Sequence, residues 1–315
     1  MGRALFKGRD LLTLLDFDNS EVKVMVDETL RSKYESLSGK RLWNTLAGRS
    51  IALIFEKPST RTRTSFEVAA YQLGAHPVYI SKKDSQLSRG EPIKDTARVL
   101  SRYVDAIVAR VLKHETLLEL AKYSDKPVIN ALSDLFHPTQ AIADVATIIE
   151  KLGKVEGKRV VFVGDGRDNV AHSLILASTS LGAHVKVVTA PGYEPLDVVI
   201  ASAEERARRS GGSFAIEYDP CKGLEGADVV YTDVWVSMGF EEEAEKRRRD
   251  LMPYQVNSKL LECVGNKDFI VMHCLPAKRG EEITDEVLES PMSVVWDQAE
   301  NKLHSARAIL SLFVP

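Results

Sequence analysis

Ser59-Thr60-Arg61-Thr62-Arg63 sets hydroxyl and guanidinium groups side by side, between an apolar run of strand length at 51–55 and a helical spacing through Phe66, Ala69, Ala70 and Leu73. The stretch therefore opens a helix. Unpartnered first-turn amides, the helix dipole and bidentate arginines at one place can surround a phosphate dianion. The plainer reading is a solvated helix start capped by Ser59 or Thr60.

Where strand and helix alternate, ligands bind beyond the carboxyl ends of the strands, and the residues in that position form a coherent set. The first half of the chain offers Arg110, then Ser133, Asp134, His137 and Gln140. The second offers Gly164-Asp165-Gly166-Arg167-Asp168-Asn169, then Asp233, then His273-Cys274-Leu275-Pro276. His137 and Gln140 stand one helical turn apart and, with Arg110, could polarise a carbonyl oxygen. Pro138 between them also suits a merely structural helix start. Asp233 and Cys274 could together orient an alkyl ammonium, although a cysteine in such a place is commonly an inert apolar residue. Asn169 could bind substrate or cap its helix. Gly164-Asp165-Gly166 resembles a dinucleotide-binding loop, but Asn169 stands at the third glycine position and no ribose-binding acid follows the next strand, so a nicotinamide cofactor is not expected. One half carries cationic and neutral donors and the other carboxylate and thiol, which suits a phosphate-bearing donor and a cationic acceptor.

The elements that hold these residues follow from hydrophobic spacing. Segments 10–17 and 20–30 precede the first strand, the second with Ser20 as its cap. Strands are expected at 51–55, 77–80, 106–110 and 127–130, with helices at 62–73, 92–103 and 115–123 between them and a further helix from His137-Pro138 to Leu152, closed by Gly153. From Lys158 the alternation restarts, with strands at 160–163, 185–188, 229–232, 269–272 and 294–296 and helices at 170–181, 197–209, 256–264 and about 299–313. The fold class is α/β, with two doubly wound parallel-sheet domains, residues 1–150 and 151–298, and a C-terminal helix, 299–315, able to return to the first domain. Segment 241–250 alternates charge with no apolar face and reads as a solvated helix or a mobile loop. With Ser237-Met238-Gly239 it could act as a lid.

The 315 residues carry a net charge of −3 and no apolar run of membrane-spanning length, so neither a general field for nucleic acid nor a membrane span is expected. Cys221, Cys263 and Cys274 are too few and too irregularly spaced for a disulfide framework and form no CxxC pair for zinc, which points to a reducing, cytoplasmic setting.

With these motifs in place, the chain resembles the ornithine carbamoyltransferases over nearly its whole length. Ser59-Thr60-Arg61-Thr62-Arg63 resembles that family's carbamoyl-phosphate signature, and Phe136-His137-Pro138-Thr139-Gln140 its carbonyl-binding motif. His273-Cys274-Leu275-Pro276 resembles its second-substrate and catalytic loop. Asp233 with Ser237-Met238-Gly239 resembles the motif that separates ornithine enzymes from aspartate-using relatives. The resemblance implies carbamoyl transfer from carbamoyl phosphate to the side-chain amine of L-ornithine, giving L-citrulline and phosphate in arginine metabolism, without metal or organic cofactor. It implies that Ser59, Thr60, Arg61, Thr62, Gln86, Arg110, His137, Gln140, Cys274, Leu275 and Lys302 bind carbamoyl phosphate, and that Asn169, Asp233, Ser237 and Met238 bind ornithine. Cys274, Asp233, His137 and Arg110 are then catalytic, Cys274 as the residue that orients the amine and accepts its proton, unless an oxygen of the leaving phosphate takes that proton instead. A homotrimer, or a dodecamer of trimers, is also implied, in which Gln86 on the polar loop 85–91 completes a neighbouring subunit's site. Within the class, a putrescine or succinylornithine carbamoyltransferase is the alternative. The sequence departs from the family at Thr139, where many members have cysteine, and at Lys302, where arginine is usual and makes a planar contact that lysine cannot copy. Lys302 is expected at the edge of the phosphate cradle, so that its loss matters less than that of Arg61.

Overall fold

The structure, a computed structural model, describes residues 5–237 and 241–315. Met238 and Gly239, singled out above for ornithine, lie outside the described residues. The chain forms two compact units. Unit 1 runs to Asp16, resumes over Val24–Ala143 and closes with Glu300–Pro315, while unit 2 takes Phe17–Lys23 and Asp144–Ala299.

Unit 1 is built on β1 (Ser50–Phe55), β2 (His76–Ser81), β3 (Ala106–Arg110) and β4 (Val128–Leu132), all parallel in the order β2-β1-β3-β4. Sandwiched between crossover helices, β1, β3 and β4 are buried along almost their whole length, which is why they read as unbroken apolar runs. The order reverses between β1 and β3, so the ends of these two strands flank the crevice where such a sheet accepts ligands. Unit 2 is built on β5 (Arg159–Val163), β6 (His184–Val188), β7 (Ser213–Glu217), β8 (Val229–Thr232) and β9 (Ile270–Met272), parallel in the order β7-β6-β5-β8-β9. Its order reverses between β5 and β8.

Several elements differ from expectation. The edge strand β7 was not anticipated, because its half-exposed residues carry little apolar signal. Segment 294–296 is not a strand: Ser293 only bridges Val271, and the final helix Val295–Phe313 starts there. Segment 256–264 breaks into the short helix Ser258–Leu261 and a 3-10 turn, Glu262–Val264. The first helix, Asn19–Leu37, is capped by Asp18 rather than Ser20. The Asp18 carboxylate accepts the Glu21 amide at 2.9 Å, and the Glu21 carboxylate accepts the Asp18 amide at 2.9 Å, a reciprocal capping box. The charged segment forms the helix Ala244–Leu251 with Arg247 and Leu251 buried, so it is not wholly solvated; the Arg247 guanidinium pairs with Asp165 and lies 5.4 Å from the Tyr193 ring. Cys221 and Cys263, 42 residues apart, form a disulfide with Cα atoms 5.2 Å apart, contrary to the expectation of free thiols. Tertiary packing of the short helix Pro220–Leu224 against the 262–264 turn brings them together, and spacing in sequence carries no trace of it.

Within unit 1 the final helix is fastened by Arg307. Its Nε donates to Ser32 Oγ at 2.7 Å, one terminal nitrogen donates to Ser32 O at 3.1 Å and the other to Gln72, and the guanidinium lies 3.7 Å from the Trp43 ring. Burial lowers Arg307 to about 10 and its neighbour His304 to about 4.

Candidate functional site

In unit 1, β1 ends at Phe55 and the helix Thr60–Gln72 follows, with Ser59 as its extended cap and the Ser59 hydroxyl accepting the Thr62 amide at 3.3 Å. Thr60 is exposed, Ser59 and Arg61 are half-buried and Thr62 is buried. Arg63 is occupied elsewhere: its Nε donates to Glu67 at 2.9 Å, and its guanidinium stacks 3.5 Å from the Tyr79 ring. Of the two arginines, Arg63 is therefore the one already engaged. Arg110 pairs in register with Phe55 and accepts the Glu56 amide at 2.9 Å, which puts it beside the cradle across the switch point.

His137 and Gln140 sit at the start of the helix Pro138–Leu152, both buried, and Lys302 reaches them from the final helix. Its Nζ donates to Gln140 Oε1 at 2.7 Å and lies 3.2 Å from His137 Nε2. Lys302 is therefore buried in the middle of this group and not at its edge, because the final helix packs directly on it, with the Ser305 hydroxyl donating to Thr139 O at 2.8 Å. Burial, then Lys302, then Arg110 hold His137 well below its usual 6.5, so the imidazole is neutral at physiological pH. Gln86 is exposed on a 3-10 turn, Gln86–Arg89, and its side chain has no hydrogen bond among the described residues.

In unit 2, β8 ends at Thr232 and β9 at Met272, so Asp233 and His273-Cys274 follow adjacent strand ends. Cys274 Sγ donates to Asp233 Oδ2 at 3.2 Å, and the Val234 amide donates to Oδ1 at 2.8 Å. Burial raises Asp233, with His273 opposing; it raises Asp168 well above the carboxylate range, with Asp233 adding to it. Cys274 is raised well above 9 by burial and then by the negative fields of Asp233, Asp168 and Asp144. A thiol so placed stays protonated at neutral pH: it donates a hydrogen bond and has no lone-pair charge ready for an amine's proton, unlike the role expected of it. Leu275 is half-buried beside it at φ 59°.

His273 has a defined tautomer. The Leu275 amide donates to Nδ1 at 2.9 Å, so the ring proton is on Nε2 and donates to Glu282 Oε1 at 2.9 Å. Asp233, His273 and Cys274 bring ligand-type atoms within 4.8 Å of one another, yet the Nδ1 lone pair that a metal would need is already taken by that amide. Asp168 caps the helix Asn169–Ser180 through the amides of Val170 and Ala171 at 2.8 and 3.3 Å, so the buried Asn169 is not the cap. Ser237 is buried as well. A Cβ at Gly166 would lie 2.6 Å from Tyr193 O, so this glycine answers to a close backbone approach within the unit rather than to a pyrophosphate.

Several contributors were not apparent in the sequence. Glu56 takes the Leu112 amide at 2.7 Å and Lys82 Nζ at 2.8 Å, tying the ends of β1 to β3 together; its place just after β1 was a usable signal. Gln298 Oε1 accepts the His273 amide at 3.0 Å while its Nε2 donates to Asp144 at 2.7 Å and to the Tyr231 hydroxyl at 3.0 Å, all of them fully buried. No strand end marks Gln298, Asp144 or Glu282, and no signal in the sequence would have found them.

Two family models match, one described as aspartate/ornithine carbamoyltransferase, carbamoyl-P binding domain, over residues 9–150, the other as the Asp/Orn binding domain of the same family, over 156–313. The chain belongs to the aspartate/ornithine carbamoyltransferase family. It is 71% identical over 309 residues to an ornithine carbamoyltransferase of Ignicoccus hospitalis, covering 98% of this chain and 99% of the other. An ornithine carbamoyltransferase of Pyrococcus furiosus named as anabolic is 55% identical over 305 residues, with 97% and 96% covered. The solved structure of the ornithine carbamoyltransferase from Pyrococcus furiosus superposes with a TM-score of 0.93 at 54% identity, covering 98% of both chains. Arg61, Arg110, His137 and Gln140 fall in the carbamoyl-P match, and Lys302 falls with the acid–thiol pair in the Asp/Orn match.

Proposed function

We propose that the protein transfers the carbamoyl group of carbamoyl phosphate to the side-chain amine of L-ornithine, giving L-citrulline and phosphate. The observation that carries this reading is the buried Asp233 carboxylate with Cys274 Sγ 3.2 Å away, a pair able to bind an alkyl ammonium, in the half of the chain that matches an Asp/Orn binding domain. Ser59, Thr60, Arg61 and Thr62 hold the donor phosphate at the helix start, and Arg110, His137, Gln140 and Lys302 surround the carbamoyl carbonyl, where negative charge develops as the amine attacks. Asn169, Asp233 and Ser237, with Met238, hold ornithine. An alkyl amine has a pKa of about 10.4 and must lose a proton to react. The ammonium gives its first proton to solvent and the free amine reacts; with the Cys274 thiol already protonated, the leaving phosphate takes the second proton: the amine nitrogen bonds to the carbonyl carbon, the carbon–oxygen bond to phosphate breaks, and the proton shed by the nitrogen as it becomes an amide leaves on the phosphate. Cys274 orients the amine.

Biosynthesis of arginine is the metabolic setting we propose, in the cytoplasm. No helix among the described residues is long and apolar enough to cross a membrane. The Cys221–Cys263 disulfide weighs against a reducing compartment, where such bonds are rare. The exposed Gln86 is proposed to complete the site of a neighbouring subunit in a homotrimer, free or assembled into a dodecamer.

Citrulline formation, with ornithine, putrescine and aspartate offered in parallel, tests the activity. Ornithine should give the highest kcat/KM, and a higher value for either of the others would refute the acceptor assignment. Mixing Gln86→Ala and Arg61→Ala proteins, each impaired at low carbamoyl phosphate, and re-forming oligomers tests sharing under that condition. Activity should return; none despite mixed oligomers would show that each subunit works alone.

A further inference from the structure

The Cys221–Cys263 disulfide stands where the two strands that lead to the acid–thiol pair begin. Cys221 lies in the short helix before β8, and Asp233 follows β8; Cys263 lies in the turn before β9, and Cys274 follows β9. The bond therefore ties the entrances of the same two strands whose exits hold a carboxylate and a thiol 3.2 Å apart. The ladder between them is short. β8 and β9 pair over three residues where β5 and β6 pair over five, and on its far side β9 meets Ser293 through an isolated bridge from Val271. Between the tied segments the Gly226 amide donates to Val264 O at 2.9 Å. One apolar cluster joins the two ends of the strands: Leu224 and Val264 from the tied segments pack with Val230 and Val271 from the strands, and both Cys263 and Leu275 rest against it. An interior packed in this way passes a displacement on.

From this placement we infer that Cys221 and Cys263 are positioning residues under redox control: the closed bond holds β9 against β8 so that Asp233 and Cys274 stay in contact, and its opening weakens the hold on ornithine while sparing that on carbamoyl phosphate. The inference rests on the activity proposed above. Every residue it invokes belongs to unit 2, whereas Arg61, Arg110 and Lys302 belong to unit 1, so the donor side is spared. The bond can be reached from solvent, since Cys221 is exposed and Cys263 half-buried. A small dithiol opens it by exchange. One thiolate of the reductant attacks the Cys221 sulfur and the Cys263 thiolate leaves and takes a proton. The second sulfur of the reductant then displaces Cys221, which is protonated in turn, and the reductant closes to a disulfide as two electrons and two protons pass to the pair. Cys274, held as a thiol, is a poor nucleophile and does not compete for the bond.

The test compares the whole enzyme, oxidised and after dithiothreitol, at a temperature where circular dichroism shows the oxidised form folded. Reduction should raise the ornithine KM about fivefold, the size of one weakened hydrogen bond, and leave the carbamoyl phosphate KM within about twofold. Cys221→Ser combined with Cys263→Ser should reproduce the reduced values and no longer respond to dithiothreitol. Hydrogen exchange gives a reading that needs no turnover: the β8 and β9 amides should exchange faster after reduction, and those of β6 should not. Exchange in β8 and β9 that ignores reduction would overturn the inference. So would equal losses for both substrates, or a reduced protein that unfolds, because the bond would then be a fastening alone. Should the double variant not fold, the reduced wild type decides. An oxidised enzyme that forms no citrulline refutes the activity, while an active one whose ornithine KM ignores reduction refutes this inference alone.

Discussion

In unit 1 the residues at the strand ends and around them are Arg61, Arg110 and, from the final helix, Lys302; in unit 2 they are Asp165, Asp168, Asp233 and the Cys274 thiol. Both sets stand at the same kind of place, the reversal of strand order in a parallel sheet, between β1 and β3 in one unit and between β5 and β8 in the other. Each excess of one sign acts on its own neighbours. The cations of unit 1 hold His137 uncharged, while the carboxylates of unit 2 raise one another and keep Cys274 protonated. The sheet supplies a location, and the side chains after its strands decide which sign of ligand that location accepts. Each half prepares for a charge that it lacks.

Removing the acid from unit 2 is expected to do the most damage. Asp233→Asn should lower kcat/KM for ornithine by roughly 2–5 kcal/mol, the scale of a buried charge losing its partner, and leave the KM for carbamoyl phosphate within about threefold. Equal losses for both substrates would break the comparison. A second effect concerns stability in unit 1, where His304 is held neutral. Folded His304 takes a proton at about 4 against the usual 6.5, so the unfolded chain binds more protons between those values and stability falls as pH drops through that window. Wild type should lose up to about 3 kcal/mol of unfolding free energy there that His304→Gln does not, as read by denaturant unfolding at pH 7 and pH 4. Arg61→Ala should weaken carbamoyl phosphate by roughly 1.5–3 kcal/mol with little change for ornithine, the mirror image of Asp233→Asn in a two-substrate kinetic series. The smallest effect belongs to Gln298→Leu, which removes the acceptor of the His273 amide; kcat should fall about fivefold to tenfold with unchanged donor KM, and an unchanged kcat would mean that the buried network does not set the Cys274 loop.

The parts of the fold that were legible in the sequence are those whose residues are buried on both faces, such as 51–55 and 160–163, because burial leaves an unbroken apolar run. Where burial is partial the signal fails. Ser213–Glu217 was missed as an edge strand, and Val294-Val295-Trp296 imitates a strand although it starts a helix. At the site, Arg110 ends an apolar run, Asp233 and His273-Cys274 come right after one, and Ser59 and His137 open the helices a few residues beyond one, so each could be placed from the sequence. Lys302, Gln298, Glu282 and Arg247 were misplaced or missed, because they come from elements distant in sequence and act through hydrogen bonds that no periodicity encodes. The Cys221–Cys263 bond failed for the same reason.

Unit 1 contains both the beginning of the chain and its last residues, Glu300–Pro315, and Lys302 and Arg307 act in it from that end. During synthesis, then, the first sheet to leave the ribosome is the last to be finished: β1 to β4 emerge early but lack the helix that bears on them until translation has passed through all of unit 2. The nascent β1–β4 region must wait for the residues that complete its unit, and premature termination just after unit 2 would release a chain in which unit 2 is complete and unit 1 is not.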